Sequence, residues 1–211
     1  MKLYSYYRSS CSYRLRIALQ LKALEYDYIA VNLLNEEQLQ PEYTALNPMG
    51  LVPALEVAEG EVLGQSVALL EWLEETHPLP PLLPSDPLQR ARVRALVNAI
   101  ACDIQPICNL SVTNYLKEQH DASSQTIKDW FSTWMHRGFR AVEPVIAQND
   151  QAFCFGDTPG MADLFLVPQV YNARRMQVDL TPFPNMTRVV DRCNELPAFI
   201  AAAPENQPDT P

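Results

Sequence analysis

Two residue types that often build cofactor sites are scarce in this chain. Only six of its 211 residues are glycine, and none lies in a G-x-x-x-x-G-K or G-x-G-x-x-G run, which excludes the common nucleotide-binding loops. The three histidines, His77, His120 and His136, are dispersed along the sequence and form no cluster with the cysteines. We therefore predict no bound metal and no nucleotide cofactor.

Positive charge is also in short supply. Sixteen lysines and arginines stand against 25 aspartates and glutamates, and the formal net charge of −9 argues against a general nucleic-acid or acidic-membrane binder. No apolar run is long enough to span a bilayer, and the N-terminus has no signal-peptide core, so we expect a cytoplasmic protein. The five cysteines are scattered without a C-x-x-C pair, which predicts free thiols.

The first third of the chain alternates strand-like and helical patterns. Positions 3–7 are rich in aromatic residues, apolar residues recur at helical spacing over 15–22, and aromatic and β-branched residues return over 26–32. A weakly helical stretch leads to two short strands around Glu59 and Gly60, and Ser66 is the expected N-cap of the next helix. The order predicted is β-α-β-α-β-β-α, with Pro53 at the head of a strand.

Prolines then interrupt the pattern. Five of them lie between His77 and Leu88, a density that prevents a regular helix or a central strand. Beyond them the strand signals vanish, and the apolar spacing predicts a long helix bent by Pro106. The further helices predicted are one marked by the aromatic and apolar residues at 130–139, then 161–171, 185–196 and a short terminal helix. We predict a first domain at 1–80, a proline-rich linker at 81–87 and an all-helical domain at 88–211, whose last residues, 204–211, lie on the surface without regular structure.

Ser9, Ser10 and Cys11 lie where the first strand meets the first helix. The N–H groups and the positive dipole at a helix start attract anions, and hydroxyl groups there can donate hydrogen bonds to a thiolate and lower the pKa of its thiol. A serine in this place more often only caps the helix, and spacing alone favours that interpretation. Gln65 and Ser66 pose the same question for a bound carboxylate. The arginines that could bind carboxylates are Arg8, Arg14, Arg16, Arg174 and Arg175, although most arginines are solvated.

Taken together, these residues resemble a known family. The run RSSCSYRLRIAL at 8–19 resembles the signature of the zeta-class glutathione transferases, a class that includes maleylacetoacetate isomerases. The resemblance spans nearly the whole chain, through NPM at 47–49, VP at 52–53, QS at 65–66, QP at 105–106, NLSV at 109–112, NARR at 172–175 and QPDTP at 207–211. It implies a thioredoxin-like α/β N-terminal domain followed by an all-α C-terminal domain, a homodimer, a cis bond before Pro53, and glutathione as the cofactor.

The resemblance also implies the roles of the site residues. Ser9 would hold the glutathione thiolate, with Ser10 and Cys11 assisting, and the Val52 backbone would pair with the cysteinyl part of glutathione. The other implied contacts are Gln65 and Ser66 to the γ-glutamyl carboxylate, Gln38, Gln105 and Asn109 to glutathione, and Arg8 and Arg175 to the substrate carboxylate and its enolate.

The implied activity is the isomerisation of maleylacetoacetate, a small anionic diketo acid, to fumarylacetoacetate, with a glutathione transferase side activity. Thiolate addition turns the cis double bond into a single bond, rotation follows, and elimination regenerates glutathione. Maleylpyruvate is an alternative substrate, although Leu110 and Ser111 favour the maleylacetoacetate branch. Two other interpretations stay open: a thiol transferase that uses Cys11 as its nucleophile, and a non-catalytic binding module of the same fold.

Overall fold

The computed structural model describes residues 1–149 and 151–211 of the chain. The predicted β-α-β-α-β-β-α order is present in the first part of the chain. The elements are β1 (Lys2–Ser5), α1 (Ser10–Leu21), β2 (Asp27–Ala30), two 3-10 turns (Leu33–Asn35 and Glu37–Leu39), α2 (Pro41–Thr44), β3 (Ala54–Ala58), β4 (Glu61–Gly64) and α3 (Ser66–Thr76).

These strands form one mixed sheet in the order β2-β1-β3-β4. β1 pairs in parallel with β2, whereas β3 is antiparallel to both β1 and β4. The ladder between β1 and β3 ends at the pair Tyr4 and Ala54. The peptide bond between Val52 and Pro53 is cis, which confirms the expectation drawn from the resemblance. This bond therefore lies just outside the sheet, at the start of β3.

Helix α1 is buried on nearly all sides. Every residue from 12 to 19 is buried, because the helix packs against both α3 and α9 (Pro197–Ala202). This stretch includes two arginines, Arg14 and Arg16, whose relative exposures are 1% and 0%. A buried guanidinium needs hydrogen-bond partners, and Arg16 donates to the Ser5 hydroxyl and to three backbone carbonyl oxygens. The Arg16 side chain is therefore a structural element of this region.

The second part of the chain is helical, as predicted. Its helices are α4 (Pro87–Asp103), α5 (Leu110–His120), α6 (Ser124–Asn149), α7 (Met161–Arg175) and α8 (Pro184–Cys193). Residues 161–170 of α7 are all buried, since this helix packs against α4, α6 and α8. A helix that is buried all round in this way forms the centre of a helical core. None of the helices within the described residues has the length and apolarity needed to cross a bilayer.

The chain separates into two compact units, residues 1–82 with 194–211 and residues 83–193. The predicted domain limits instead place 194–211 with the helices. In the structure this segment joins the first unit, because α9 packs on α1 and the Ala202 carbonyl oxygen accepts a hydrogen bond of 3.0 Å from Arg16 Nε.

The last residues also have more structure than the prediction of a loose surface segment. A 3-10 turn covers Pro204–Asn206, and the Gln207 side chain is buried. Gln207 Nε2 donates to the carbonyl oxygens of Ala201 and Ala203 over 2.9 and 2.8 Å. The expectation of an irregular segment is therefore wrong for 204–206, which form the 3-10 turn, and the Gln207 bonds attach the segment to the end of α9.

The region around Pro106 is another correction. Helix α4 ends at Asp103, so Pro106 lies in the turn that follows and does not bend the helix. The next helix, α5, was not predicted. Thr113 is its buried residue, so α5 has no buried apolar stripe of the kind that marks the neighbouring helices.

Candidate active site

A tight turn carries the chain from β1 into α1. The Ser9 N–H donates to the Tyr6 carbonyl oxygen over 3.0 Å, which closes a β-turn with Tyr7 and Arg8 in its centre. The buried Arg16 guanidinium donates to the carbonyl oxygens of Tyr6 (3.4 Å) and Tyr7 (2.9 Å). The turn therefore presents Arg8 and Ser9 at the start of α1 on a backbone held by several hydrogen bonds.

Ser9 is the N-cap of α1, and its Oγ accepts a hydrogen bond of 3.2 Å from the Ser12 N–H. A serine hydroxyl that accepts in this way still has its own proton to donate. The capping role and the thiolate-binding role are thus compatible in one side chain. Ser10 and Cys11 are the first two helical residues, where the positive end of the helix dipole is strongest.

The Arg8 side chain is held against two aromatic rings. Its Nη2 donates to the Tyr6 hydroxyl over 3.2 Å, and its guanidinium carbon lies 5.2 Å from the centre of the Tyr7 ring. Burial raises the pKa of Tyr6, and the nearby Arg8 charge opposes that rise. A positive charge therefore stands one residue before Ser9, where an anionic substrate could bind it.

The start of α3 differs from its prediction. Gln65, not Ser66, is the N-cap, and Ser66 is the first helical residue. Gln65 has φ 64° and ψ 106°, a conformation rare for a residue with a side chain, and such strain costs of order 1–3 kcal/mol. Strained residues of this kind cluster at ligand-binding positions, so the observed conformation favours a functional role for Gln65.

Arg14 links the two helix starts. Its buried Nη1 donates to Ser66 Oγ over 3.4 Å, while Arg14 itself lies one turn after Cys11 in α1. Burial lowers the pKa of Arg14, and a negative charge on Cys11 would raise it. The positive guanidinium therefore lies close to both places where an anion is expected.

Gln38 and Val52 lie on the loops that precede β3. Gln38 is part of the turn Glu37–Leu39, and its Oε1 is buried without a hydrogen-bond partner among the residues that the structure describes. A buried acceptor without a donor is unfavourable, so this oxygen suits the N–H group of a ligand. Val52 precedes the cis bond and lies beyond the last β1–β3 pair, so the sheet ladder does not use its peptide groups.

Gln105 and Asn109, two of the predicted glutathione contacts, lie in the second unit. Gln105 is in the turn that follows α4, and its N–H donates to the Ile100 carbonyl oxygen over 2.9 Å. Asn109 is the N-cap of α5, where its Oδ1 accepts from the Leu110 N–H over 2.6 Å. Asn109 thus has a structural role, and its amide nitrogen could still donate to a ligand.

Arg175 is the last residue of α7, also in the second unit. Its Nη2 donates to Asn172 Oδ1 over 2.8 Å. The neighbouring Arg174 forms an exposed ion pair of 2.7 Å with Asp191. The preference for Arg175 over Arg174 as a substrate-binding residue stays a prediction, and the ion pair of Arg174 agrees with it.

The sequence reasoning missed one residue close to Ser9. Asp209, near the end of the chain, accepts a hydrogen bond of 3.0 Å from the Tyr7 N–H in the turn. No local pattern could have shown this contact, since 202 positions separate the two residues. The burial of Arg14 and Arg16 did have a signal in the sequence. Both arginines alternate with the apolar residues Leu15 and Ile17, and all four side chains are buried in α1.

Both units of the chain are similar to known proteins. Two family models match the chain: Glutathione S-transferase, N-terminal domain, over residues 8–76, and Glutathione S-transferase, C-terminal domain, over residues 115–197. The chain is 52% identical to the maleylacetoacetate isomerase of Pseudomonas aeruginosa, with 100% of this chain and 99% of the relative covered. It is 50% identical to the maleylpyruvate isomerase of a Ralstonia species, with both chains fully covered.

Solved structures show the same similarity. A holo maleylpyruvate isomerase, described as a bacterial zeta-class glutathione S-transferase, matches with a TM-score of 0.98 and 50% identity over 100% of both chains. The maleylacetoacetate isomerase of Anaeromyxobacter dehalogenans, with dicarboxyethyl glutathione and citrate bound in its active site, matches with a TM-score of 0.90 and 45% identity. That match covers 100% of this chain and 93% of the other.

Proposed function

The chain belongs to the zeta class of glutathione transferases, and from that premise we propose that it is a glutathione-dependent cis–trans isomerase of maleylacetoacetate. One observation carries the proposal: the Ser9 hydroxyl caps α1 through its oxygen and keeps its proton for a thiolate at the positive end of the helix.

The residues of the first unit suit glutathione as the cofactor. The Gln38 Oε1, which has no hydrogen-bond partner within the described part of the chain, would accept from an N–H of the tripeptide. The Val52 peptide groups lie outside the sheet ladder. Gln65 and Ser66, at the start of α3, would hold the γ-glutamyl carboxylate near the buried Arg14 charge. Gln105 and Asn109 are further proposed contacts.

The protein's own task in this reaction is electrostatic. Bound glutathione supplies a thiolate that adds to the cis double bond, permits rotation about the resulting single bond and then leaves. Ser9, assisted by Ser10 and Cys11, would donate hydrogen bonds that keep the sulfur ionised. Arg8 would bind the substrate carboxylate and the negative charge that develops on its conjugated carbonyl, and Arg175 is proposed for the same role.

Maleylpyruvate is the second candidate substrate. The Ralstonia enzyme that carries this activity in its name is 50% identical to the chain, close to the 52% of the Pseudomonas maleylacetoacetate isomerase. The two acids share the cis double bond, the conjugated carbonyl and the carboxylate, so the proposed chemistry is the same for both. The two substrates differ in length, so the space that the active site leaves for the longer end of maleylacetoacetate decides between them.

An ultraviolet assay of both acids, each with and without glutathione, tests the proposal. We expect turnover only with glutathione and a higher kcat/KM for maleylacetoacetate. A higher kcat/KM for maleylpyruvate would favour the second candidate. If neither acid is isomerised while glutathione still binds in calorimetry, the isomerase proposal is rejected and a binding module becomes the better interpretation.

We further propose a cytoplasmic homodimer. The five cysteines are free thiols, and a reducing compartment keeps both them and glutathione reduced. Several apolar side chains on 34–51 are exposed, and a second copy of the chain would remove such surface from water. The most exposed are Leu34 (62%), Leu39 (56%) and Met49 (65%).

A further inference from the structure

The turn that presents Ser9 is bonded on its carbonyl side by one buried side chain. Arg16 Nη1 and Nη2 donate to the carbonyl oxygens of Tyr6 and Tyr7, and Arg16 Nε donates to the Ala202 carbonyl oxygen of α9 over 3.0 Å. The turn and α9 are therefore hydrogen-bonded to the same guanidinium. A displacement of α9 would move the Arg16 side chain and, through it, the turn.

The amide side of the same turn is bonded by the chain's end. Asp209 Oδ2 accepts from the Tyr7 N–H over 3.0 Å, and Asp209 Oδ1 accepts from the Tyr28 hydroxyl over 2.6 Å. A carboxylate that accepts two hydrogen bonds in a partly buried place is a strong and directional acceptor. It orients the Tyr7 peptide group, which lies two residues before the Ser9 hydroxyl.

The segment that carries Asp209 is itself well anchored. Gln207 Nε2 bonds two carbonyl oxygens at the end of α9, and the Thr210 N–H donates to the Gln207 carbonyl oxygen over 3.1 Å. These bonds lie within 201–211 and do not touch the turn. The chain thus separates two functions: Gln207 holds the tail to α9, and Asp209 extends from the tail to the active-site turn.

We propose that Asp209 is a positioning residue for the thiolate site, through which the C-terminal tail sets the direction of the Ser9 hydroxyl and the place of Arg8. This inference rests on the proposed function, since it takes Ser9 as the group that binds the glutathione sulfur. Without the carboxylate, the Tyr7 N–H loses its acceptor, and the turn keeps the hydrogen bonds to its carbonyl oxygens from Arg16 and from the Ser9 N–H.

The test compares Asp209→Ala with Gln207→Ala in the full-length protein. Glutathione affinity is measured by calorimetry, and the pKa of the bound thiol by the ultraviolet absorbance of its thiolate against pH. We expect Asp209→Ala to weaken glutathione binding about tenfold and to raise the thiol pKa, a smaller effect than the roughly hundredfold cost of misplacing catalytic groups by ~1 Å. Gln207→Ala should lower the melting temperature and change both quantities much less than Asp209→Ala, because the Asp209 carboxylate is still there to accept from the Tyr7 N–H.

Asp209→Asn refines the comparison, because the amide oxygen still accepts from the Tyr7 N–H but carries no charge. We expect the same direction of change with about a threefold effect on affinity, since charged acceptors bond roughly twice as strongly as neutral ones. If Asp209→Ala is not recovered folded, Asp209→Asn against Gln207→Ala decides the question.

Equal affinity and thiol pKa in the Asp209 and Gln207 variants would overturn the inference, since the tail would then act through stability alone. Neither readout needs an isomerase substrate. A wild-type protein that binds glutathione but isomerises neither acid rejects the proposed function and leaves the inference testable. A wild-type protein that does not bind glutathione overturns both.

Discussion

At the scale of single residues, Ser9 shows how a capping position becomes a chemical one. Its oxygen accepts from the Ser12 N–H, so the hydroxyl is held in place by the helix that it caps, and it can still donate its own proton to another group. A residue with both roles affects stability and chemistry when it is replaced, and the two effects can be measured separately.

Replacement of Ser9 by alanine should lower glutathione-dependent kcat by about a hundredfold, as expected when one preorganised donor to a developing charge is lost. The lost cap should also lower the free energy of unfolding by about 1 kcal/mol. Steady-state kinetics and urea denaturation measure the two effects. Ser9→Thr, which keeps a hydroxyl, should retain much of both, and a Ser9→Ala enzyme with wild-type kcat would contradict the assignment.

One substitution tests whether Cys11 is the nucleophile of the reaction. Because the proposed nucleophile is the glutathione sulfur, Cys11→Ser should keep most of the isomerase activity in a steady-state assay. Loss of all activity in this variant, together with a mixed disulfide between Cys11 and glutathione in mass spectrometry of the wild type, would instead favour the thiol transferase.

Thiol labelling should divide the cysteines by environment. Burial raises the pKa of Cys108 to about 12 and raises those of Cys154 and Cys193, whereas Cys102 is exposed and Cys11 partly exposed. Since the thiolate is the reactive form, iodoacetamide at neutral pH should label Cys102 and Cys11 before unfolding. S-methylglutathione should protect Cys11 but not Cys102, as mass spectrometry would report. Labelling of Cys154 at the rate of Cys102 would contradict this.

At the scale of elements, a buried ion pair joins α1 to α3 and to the proline-rich segment. Lys22 Nζ donates to Glu74 Oε2 over 3.1 Å and to the carbonyl oxygens of His77 (2.7 Å) and Pro80 (2.9 Å). Glu74 in turn accepts from the Leu82 N–H. The side chains of the pair are 0% and 7% exposed, so each buried charge is stabilised by its oppositely charged partner and not by water.

Replacement of Lys22 by methionine should therefore lower the free energy of unfolding by about 3–5 kcal/mol, because it leaves the Glu74 charge buried without its partner. Urea denaturation of Lys22→Met, Glu74→Met and the double variant measures the coupling, and the double variant should lose less than the sum. The control is Lys2→Met, which breaks the exposed ion pair with Glu56 and should change stability little. An equal decrease in the free energy of unfolding for the Lys22 and Lys2 variants would show that the buried pair contributes no more to stability than the exposed one.

At the scale of the whole molecule, the two ends of the chain meet in one unit. Residues 194–211 return to the first unit, so its fold is complete only after the last residues are made. The helical unit, in contrast, is continuous in sequence over 83–193. Loss of the tail should therefore disturb the unit that carries Ser9.

The oligomeric state is the prediction at this scale. Sedimentation equilibrium at micromolar concentration should give twice the chain mass of 23.9 kDa. The physical reason is the exposed apolar surface of segment 34–51, whose burial against a second copy would be favourable. A mass of one chain over the same concentration range would contradict the homodimer.

Much of the architecture follows from local patterns in the sequence. The structure confirms the order of strands and helices up to Thr76, the proline-rich break and the helical second part. These features could be predicted because the spacing of apolar residues in a strand or helix is set by residues close together in the sequence. Helix α5 was missed for the same reason, since it buries too little apolar surface to leave a pattern. The assignments of catalytic and ligand contacts at 8–11, 38, 52, 65, 66, 105, 109 and 175 stay predictions.

The sequence by itself determined the element order, the family signature at 8–19 and the candidate residues at two helix starts. Only the tertiary structure decided that Gln65 rather than Ser66 caps α3, that Arg14 and Arg16 are buried, and that Asp209 bonds the turn before Ser9. The reason is physical: capping geometry and burial depend on what packs against a residue, and those partners lie up to 202 positions away in the chain.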